Sequence, residues 1–124
     1  VLASKASTIL TAALTNVTAT VRTIRRFTPS NVTLIQTGFF PEEGWGDEDG
    51  ACADTIENML LGKVVDWDDI SQRVRSSRSG FHYDGTRSDF PPKDLELALR
   101  HNCFNFAMVV ERKHGLHRMH CVEV

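Results

Sequence analysis

Cysteine is scarce in this chain: three in 124 residues, at Cys52, Cys103 and Cys121. An odd, widely spaced set excludes a disulfide framework and points to free thiols in a reducing, cytoplasmic compartment. Nowhere do about 18 apolar residues run together, so no helical membrane span is expected. No basic-then-apolar stretch opens the chain as a secretory signal would. The first residue is Val1, as expected of a processed chain or of a piece of a longer protein. Positive charge is not in excess either. Lys plus Arg is 14 and Asp plus Glu is 16, a net charge of −2, which excludes nucleic-acid binding driven by gross basic charge. There is no Gly-rich phosphate loop, no Ser-His-Asp pattern, no interleaved aromatic–basic patch and no internal repeat. What remains is ordinary globular composition, 41% hydrophobic and 24% charged, in a length that suits one domain with a real core.

The patterning alternates between sheet and helix. Thr8 to Thr15 is a short Thr/Ile/Leu/Ala run, expected as a buried strand. Asn16 suits a helix N-cap, and Val17, Val21 and Ile24 then recur at helical spacing. Arg22, Arg25 and Arg26 oppose the negative end of that helix, and Pro29-Ser30-Asn31 ends it. Residues 32–38 (Val-Thr-Leu-Ile-Gln-Thr-Gly) are the clearest strand in the sequence. Strand, helix and strand in succession predict a βαβ unit with parallel strands. Residues 39–50 read as a loop. Ala51 to Leu61 reads as a helix with Ile56, Leu60 and Leu61 inward and Gly62 as its stop. Asp66 caps the next helix, which runs to near Val74. Residues 76–90 read as loop, and Pro91-Pro92 starts a helix from Lys93 to near Asn102. Phe104 to Val110 and Leu116 to Val122 are strands joined by a turn at His114-Gly115. The expected class is α/β: a layered α/β/α sheet with a βαβ unit and a C-terminal β-hairpin.

The sharpest chemical feature is again a lack. From Phe27 through Gly62 there is no Lys or Arg, while Glu42, Glu43, Asp47, Glu48, Asp49, Asp54 and Glu57 give that span a balance of −7. In α/β sheets, sites form beyond the carboxyl ends of strands, where this span would lie. Crowded carboxylates repel, and a divalent cation such as Mg²⁺, which takes oxygen ligands, relieves the repulsion and orients a phosphorylated substrate. The plain alternative is a solvated acidic loop followed by helix N-terminal acids, which the helix dipole favours unaided. Asn16, at a strand end and a helix N-terminus, is placed to hold phosphate, or is simply a cap. Arg73, Arg75, Arg78 and Arg87, interleaved with Ser and Gly, suit a clamp over an anionic ligand, or a soluble surface loop.

Other features point away from chemistry. Asp66-Trp67-Asp68 after Val64-Val65 is similar to a haloacid-dehalogenase nucleophile motif, but Ile70 stands where Thr or Ser is required. Helix capping explains Asp66. His114, His117, His120 and Cys121 suggest a metal by composition, yet 117 and 120 fall on opposite faces of a strand. Cys52 lies in a first helical turn with acidic neighbours, which suits a buried thiol better than a nucleophile.

Three stretches in order resemble the 2-phosphosulfolactate phosphatase family. They are Ile9 to Ala19, then Val32 to Gly38 with Glu48-Asp49-Gly50-Ala51-Cys52-Ala53-Asp54 and Ile56 to Gly62, then Ser79-Gly80 with Asp94 to Ala98 and the strand at 104–110. The resemblance implies Mg²⁺-dependent hydrolysis of a phosphomonoester: 2-phosphosulfolactate to sulfolactate and phosphate, a step toward coenzyme M. By the same resemblance Asn16, Glu48, Asp49 and Asp54 lie at the site. Glu48 and Asp49 hold metal or water, Asp54 joins the metal ligands, and Asn16 binds phosphate. Arg78 and Arg87 are the phosphate or sulfonate clamp on chemical grounds alone.

Members of that family are substantially longer. Their N-terminal half carries an Asp-Val-x-Arg-Ala-Thr-type segment and a Ser-Thr-Asn-Gly-Thr segment, and neither occurs here. Asn102 stands where the family has Asp, and Met108 where it has Pro. The implied protein is therefore the C-terminal half of a larger fold, completed by an N-terminal chain or by self-association. Its substrate would be an anionic phosphorylated small molecule, with no nucleic acid and no membrane. The competing reading is a noncatalytic or repurposed homologue serving as a structural subunit of a heteromeric enzyme.

Overall fold

The computed structural model describes residues 5–38 and 47–124, together with the backbone but not the side chain of Asp47. Within them lie three strands and five α-helices: β1 (Ile9–Thr11), a 3₁₀ turn (Leu14–Asn16), α1 (Val17–Phe27), α2 (Asp47–Leu60), α3 (Trp67–Arg75), α4 (Arg78–Phe81), α5 (Pro92–Ala98), β2 (Phe106–Lys113) and β3 (Leu116–Glu123). The class is mixed α and β, with one antiparallel sheet ordered β1-β2-β3. Among the described residues no helix is long and apolar enough to cross a membrane.

The hairpin forms as its sequence predicts. Lys113 faces Leu116 across a two-residue turn in which His114 (φ 51°) and Gly115 (φ 75°) are both left-handed. That twist matches the twist of the flanking strands. Gly62 (φ 72°) ends α2 as expected. Its N–H donates to Met59 O and that of Lys63 to Asn58 O, a double closure that needs the left-handed residue. Asp66 caps α3, its Oδ1 accepting from the N–H groups of Asp68 and Asp69 at 3.1 Å.

The βαβ unit does not form. Residues 31–36 adopt no regular structure and residues 37–38 turn, with Val32, Leu34 and Ile35 exposed. β1 pairs antiparallel with β2 instead, Leu10 opposite Val109. A strand is stable only with a ladder partner, and among the described residues none lies beside 32–38. Four further expectations shift. The first strand is three residues long. α2 begins at Asp47, so Glu48 and Asp49 sit in its first turn rather than in a loop. The 76–90 segment contains the short α4, and α5 stops at Ala98.

Two apolar clusters carry the packing. One joins Val17, Val21 and Ile24 of α1 to Ile56 of α2; the other joins Leu14, Ala51, Ile70 and Val74. Cys52 and Trp67 pack against both. Ala107 of β2 is fully buried, since α1 lies over that part of the sheet.

Candidate functional site

The first turn of α2 and the segment after β1 enclose a small cleft of about 160 Å³, lined by Ala12, Ala13, Leu14, Glu48, Asp49, Cys52, Val74, Ala98 and Leu99. Both carboxylates at its mouth are held from outside their own helix. Asp49 Oδ2 accepts from Gly38 N–H at 2.6 Å and Thr37 Oγ1 at 2.9 Å. Glu48 Oε1 accepts from Ser79 Oγ at 2.7 Å. The turn at 37–38 is thus tied to α2, and α4 is brought beside the acidic pair. The helix N-terminus stabilises carboxylates in this position.

Cys52, one turn on, is half-buried in the same cleft. Burial, aided by the neighbouring Asp49 carboxylate, pushes its thiol from 9.0 up to about 11. At neutral pH it is a neutral packing group, not a nucleophile. All three cysteines are free.

The other expected site residues are distributed around this cleft rather than gathered in it. Asp54, two residues beyond Cys52 on α2, pairs with Arg73 of α3 at 2.6 Å. A cation there would have to compete with the guanidinium. A Cβ at position 50 would come within 2.8 Å of Arg73 Nη2, so a side chain there would make the end of the guanidinium shift. Asn16 lines a different hollow, with Thr11, Ala12, Ala13, Thr15, Phe104, Phe106 and Met108. Only Ala12 and Ala13 border both spaces.

Asn16 is buried, and its amide is engaged at both ends. Oδ1 accepts from Ala13 N–H at 3.0 Å and Nδ2 donates to Phe106 O at 3.4 Å. Asn16 therefore holds the N-cap position of α1 without a side-chain capping bond. The cap comes from Asn102, in left-handed conformation, whose Oδ1 accepts from Thr18 N–H at 3.0 Å. Sequence reading missed this because the two residues are 84 positions apart; Asn at a helix stop was the only local signal.

Arg78 opens α4 next to Ser79 and makes its own contacts within the chain. Arg87 lies on the exposed loop beyond, its guanidinium carbon 5.9 Å from the centre of the Phe90 ring. Glu42 and Glu43 lie outside the described residues. Among the described residues, no three His, Cys, Asp or Glu side chains cluster as a metal-binding group. Two carboxylates do fit Mg²⁺ in kind, because that ion commonly takes one or two protein carboxylates and completes its shell with waters and substrate oxygens.

Comparison with protein-family models, with curated proteins and with solved structures finds no match for this chain.

Proposed function

We propose that this chain contributes the acidic part of a Mg²⁺-dependent phosphomonoester hydrolase similar in type to 2-phosphosulfolactate phosphatase. The observation that carries the reading is the pair Glu48 and Asp49. Both line one cleft beside the end of β1, and each is oriented by a partner from another segment. When bound, Mg²⁺ would polarise a phosphoryl oxygen and acidify a water. Asp49, fixed by Gly38 N–H and Thr37, presents a carboxylate whose orientation needs no reorganisation. Glu48, through Ser79, couples the acidic pair to the basic segment that begins at Arg78. Arg78 and Arg87 then supply positive charge toward a phosphate or sulfonate. Asn16 keeps the β1 end and β2 in register next to the cleft. Asp54 stays with Arg73.

The sheet supports the half-fold reading. Residues 32–38 have strand composition and exposed Val32, Leu34 and Ile35, and Val64 is 96% exposed. A complementary chain or a second copy would give that segment a ladder partner and complete a layered sheet. Free thiols suit a cytoplasmic setting. The same exposed residues favour the second reading, in which the chain is a structural subunit without its own chemistry.

The test is phosphate release from 2-phosphosulfolactate by the full-length gene product, with and without Mg²⁺, beside an Asp49→Asn variant. Metal-dependent release that falls by about 100-fold or more in the variant supports the enzyme reading. No release from folded protein overturns it in favour of the subunit.

A further inference from the structure

The sheet has one face turned to the helices and one turned away. Ala107 is fully buried and Leu10 packs on the Val17 cluster, so both face the helices. Their strand neighbours alternate to the other side. There the cross-strand register sets Thr11, Met108 and Cys121 in one row and Ile9, Val110 and Met119 in the next.

Two sulfurs on this face meet, and a third side chain reaches across the same strand. Cys121 stands opposite Met108, and its thiol donates to Met108 Sδ at 3.4 Å. Met119, two residues before Cys121 and on the same face, reaches back across β2. Its Sδ accepts from Thr11 Oγ1 at 3.0 Å, and Thr11 is the partner of Met108 on the far strand. Two sulfurs, those of Cys121 and Met108, are thus in contact, and the third, that of Met119, lies beside Thr11 of the same cross-strand row. They are not spent on core packing, for Met119 is 51% exposed and Cys121 is exposed. His117 continues the same face one pair further along, opposite Arg112.

We propose that Met108, Met119 and Cys121 form a binding site for one soft monovalent cation of the Cu(I) class. Thioether and thiolate sulfur prefer such ions over hard Mg²⁺ or Ca²⁺. Metal–sulfur bonds of about 2.3 Å set two sulfurs of a trigonal ion about 4 Å apart. The Met108–Cys121 pair therefore has to open by only roughly half an ångström. Binding releases the Cys121 thiol proton, and the resulting thiolate balances the single positive charge. Thr11, by donating to Met119 Sδ, holds that flexible side chain across β2 in the absence of the ion. The site is separate in chemistry and in residues from the carboxylates of the cleft.

Ag(I), which does not change oxidation state here, is the probe. One equivalent is added to the reduced chain, and methionine oxidation by peroxide is followed by mass spectrometry. The expected result is slowed oxidation of Met108 and Met119 with Met59 unchanged. Competition against a chromophoric chelator gives the affinity. Met108→Leu/Met119→Leu should lower it by about tenfold or more, and Cys103→Ser should leave it unchanged. Oxidation of Met108 and Met119 at the ion-free rate overturns the proposal, as does an affinity within about twofold in the double leucine variant, since the ion would then sit on thiols alone. The oxidation pattern of the unaltered chain decides the matter if the variant does not fold.

Discussion

Helix α1 and strand β3 are both patterned elements, and the chain treats them in opposite ways. Six residues of α1, from Val17 to Ile24, are buried against α2 and the sheet. In β3 none is buried, and only Val122 is partly covered. α1 finds its partners inside the chain; β3 is an eight-residue edge whose neighbour among the described residues is β2 alone. The contrast shows where this fold is complete and where it still offers surface. Packing is concentrated on the helical side, whereas the hairpin leaves most of β3 exposed.

The largest test of that contrast is a charge placed on each side. Val17 is fully buried, so Val17→Asp places an unpaired carboxylate in the core and should cost more than about 4 kcal/mol. That is enough to unfold a domain of ordinary stability. Leu116 is 71% exposed, so Leu116→Asp should stay within about 0.5 kcal/mol. Urea unfolding followed by circular dichroism measures both. Equal losses would mean that the hairpin face is covered in solution.

A smaller effect sharpens the picture of the packed side. Thr20 is buried with its Oγ1 unpartnered, unlike Thr23 and Thr55, which donate to Ala19 O and Ala51 O. Thr20→Val should therefore stabilise by up to about 1 kcal/mol, by removing an unsatisfied hydroxyl. Thr23→Val, which removes a bonded one, should not stabilise. The same unfolding midpoints measure both.

The smallest effect compares thiols across the two regions. Cys52, pushed up to about 11 by burial and by Asp49, should alkylate far more slowly at pH 8 than the exposed Cys103 and Cys121, as timed mass spectrometry would show. Its folded value lies above its ordinary 9.0. The stability it contributes is therefore fully present below about pH 9 and is lost as pH rises through about 11. A Cys52→Ala variant should lose that alkaline dependence.

Local signals were legible where the residues that decide an element are close together. His114-Gly115 sets the hairpin, Gly62 ends α2, Asp66 caps α3, and the Val17/Val21/Ile24 spacing makes α1. The Glu48–Asp49 pair was legible as an acidic concentration, though not as a helical first turn. Residues 32–38 misled because their composition says strand, while a strand exists only where a ladder partner lies alongside. Asn16 misled for a similar reason. Its identity suits a cap, but Phe106 and Ala13 take its amide, and Asn102 caps α1 from across the fold.

The amino-acid sequence by itself determined α1, α3 and the body of α2, the hairpin turn, the lack of a long apolar run and the excess of acid between residues 27 and 62. Each of these depends on side chains within a few positions of one another. Only the tertiary structure decided that β1 runs antiparallel to β2, that Asp54 belongs to Arg73, that Ser79 reaches Glu48, and that Cys121 meets Met108 while Met119 reaches Thr11. Those pairings join residues far apart in the chain. They follow from which surfaces are left to pack once the local elements have formed, and no local pattern encodes that.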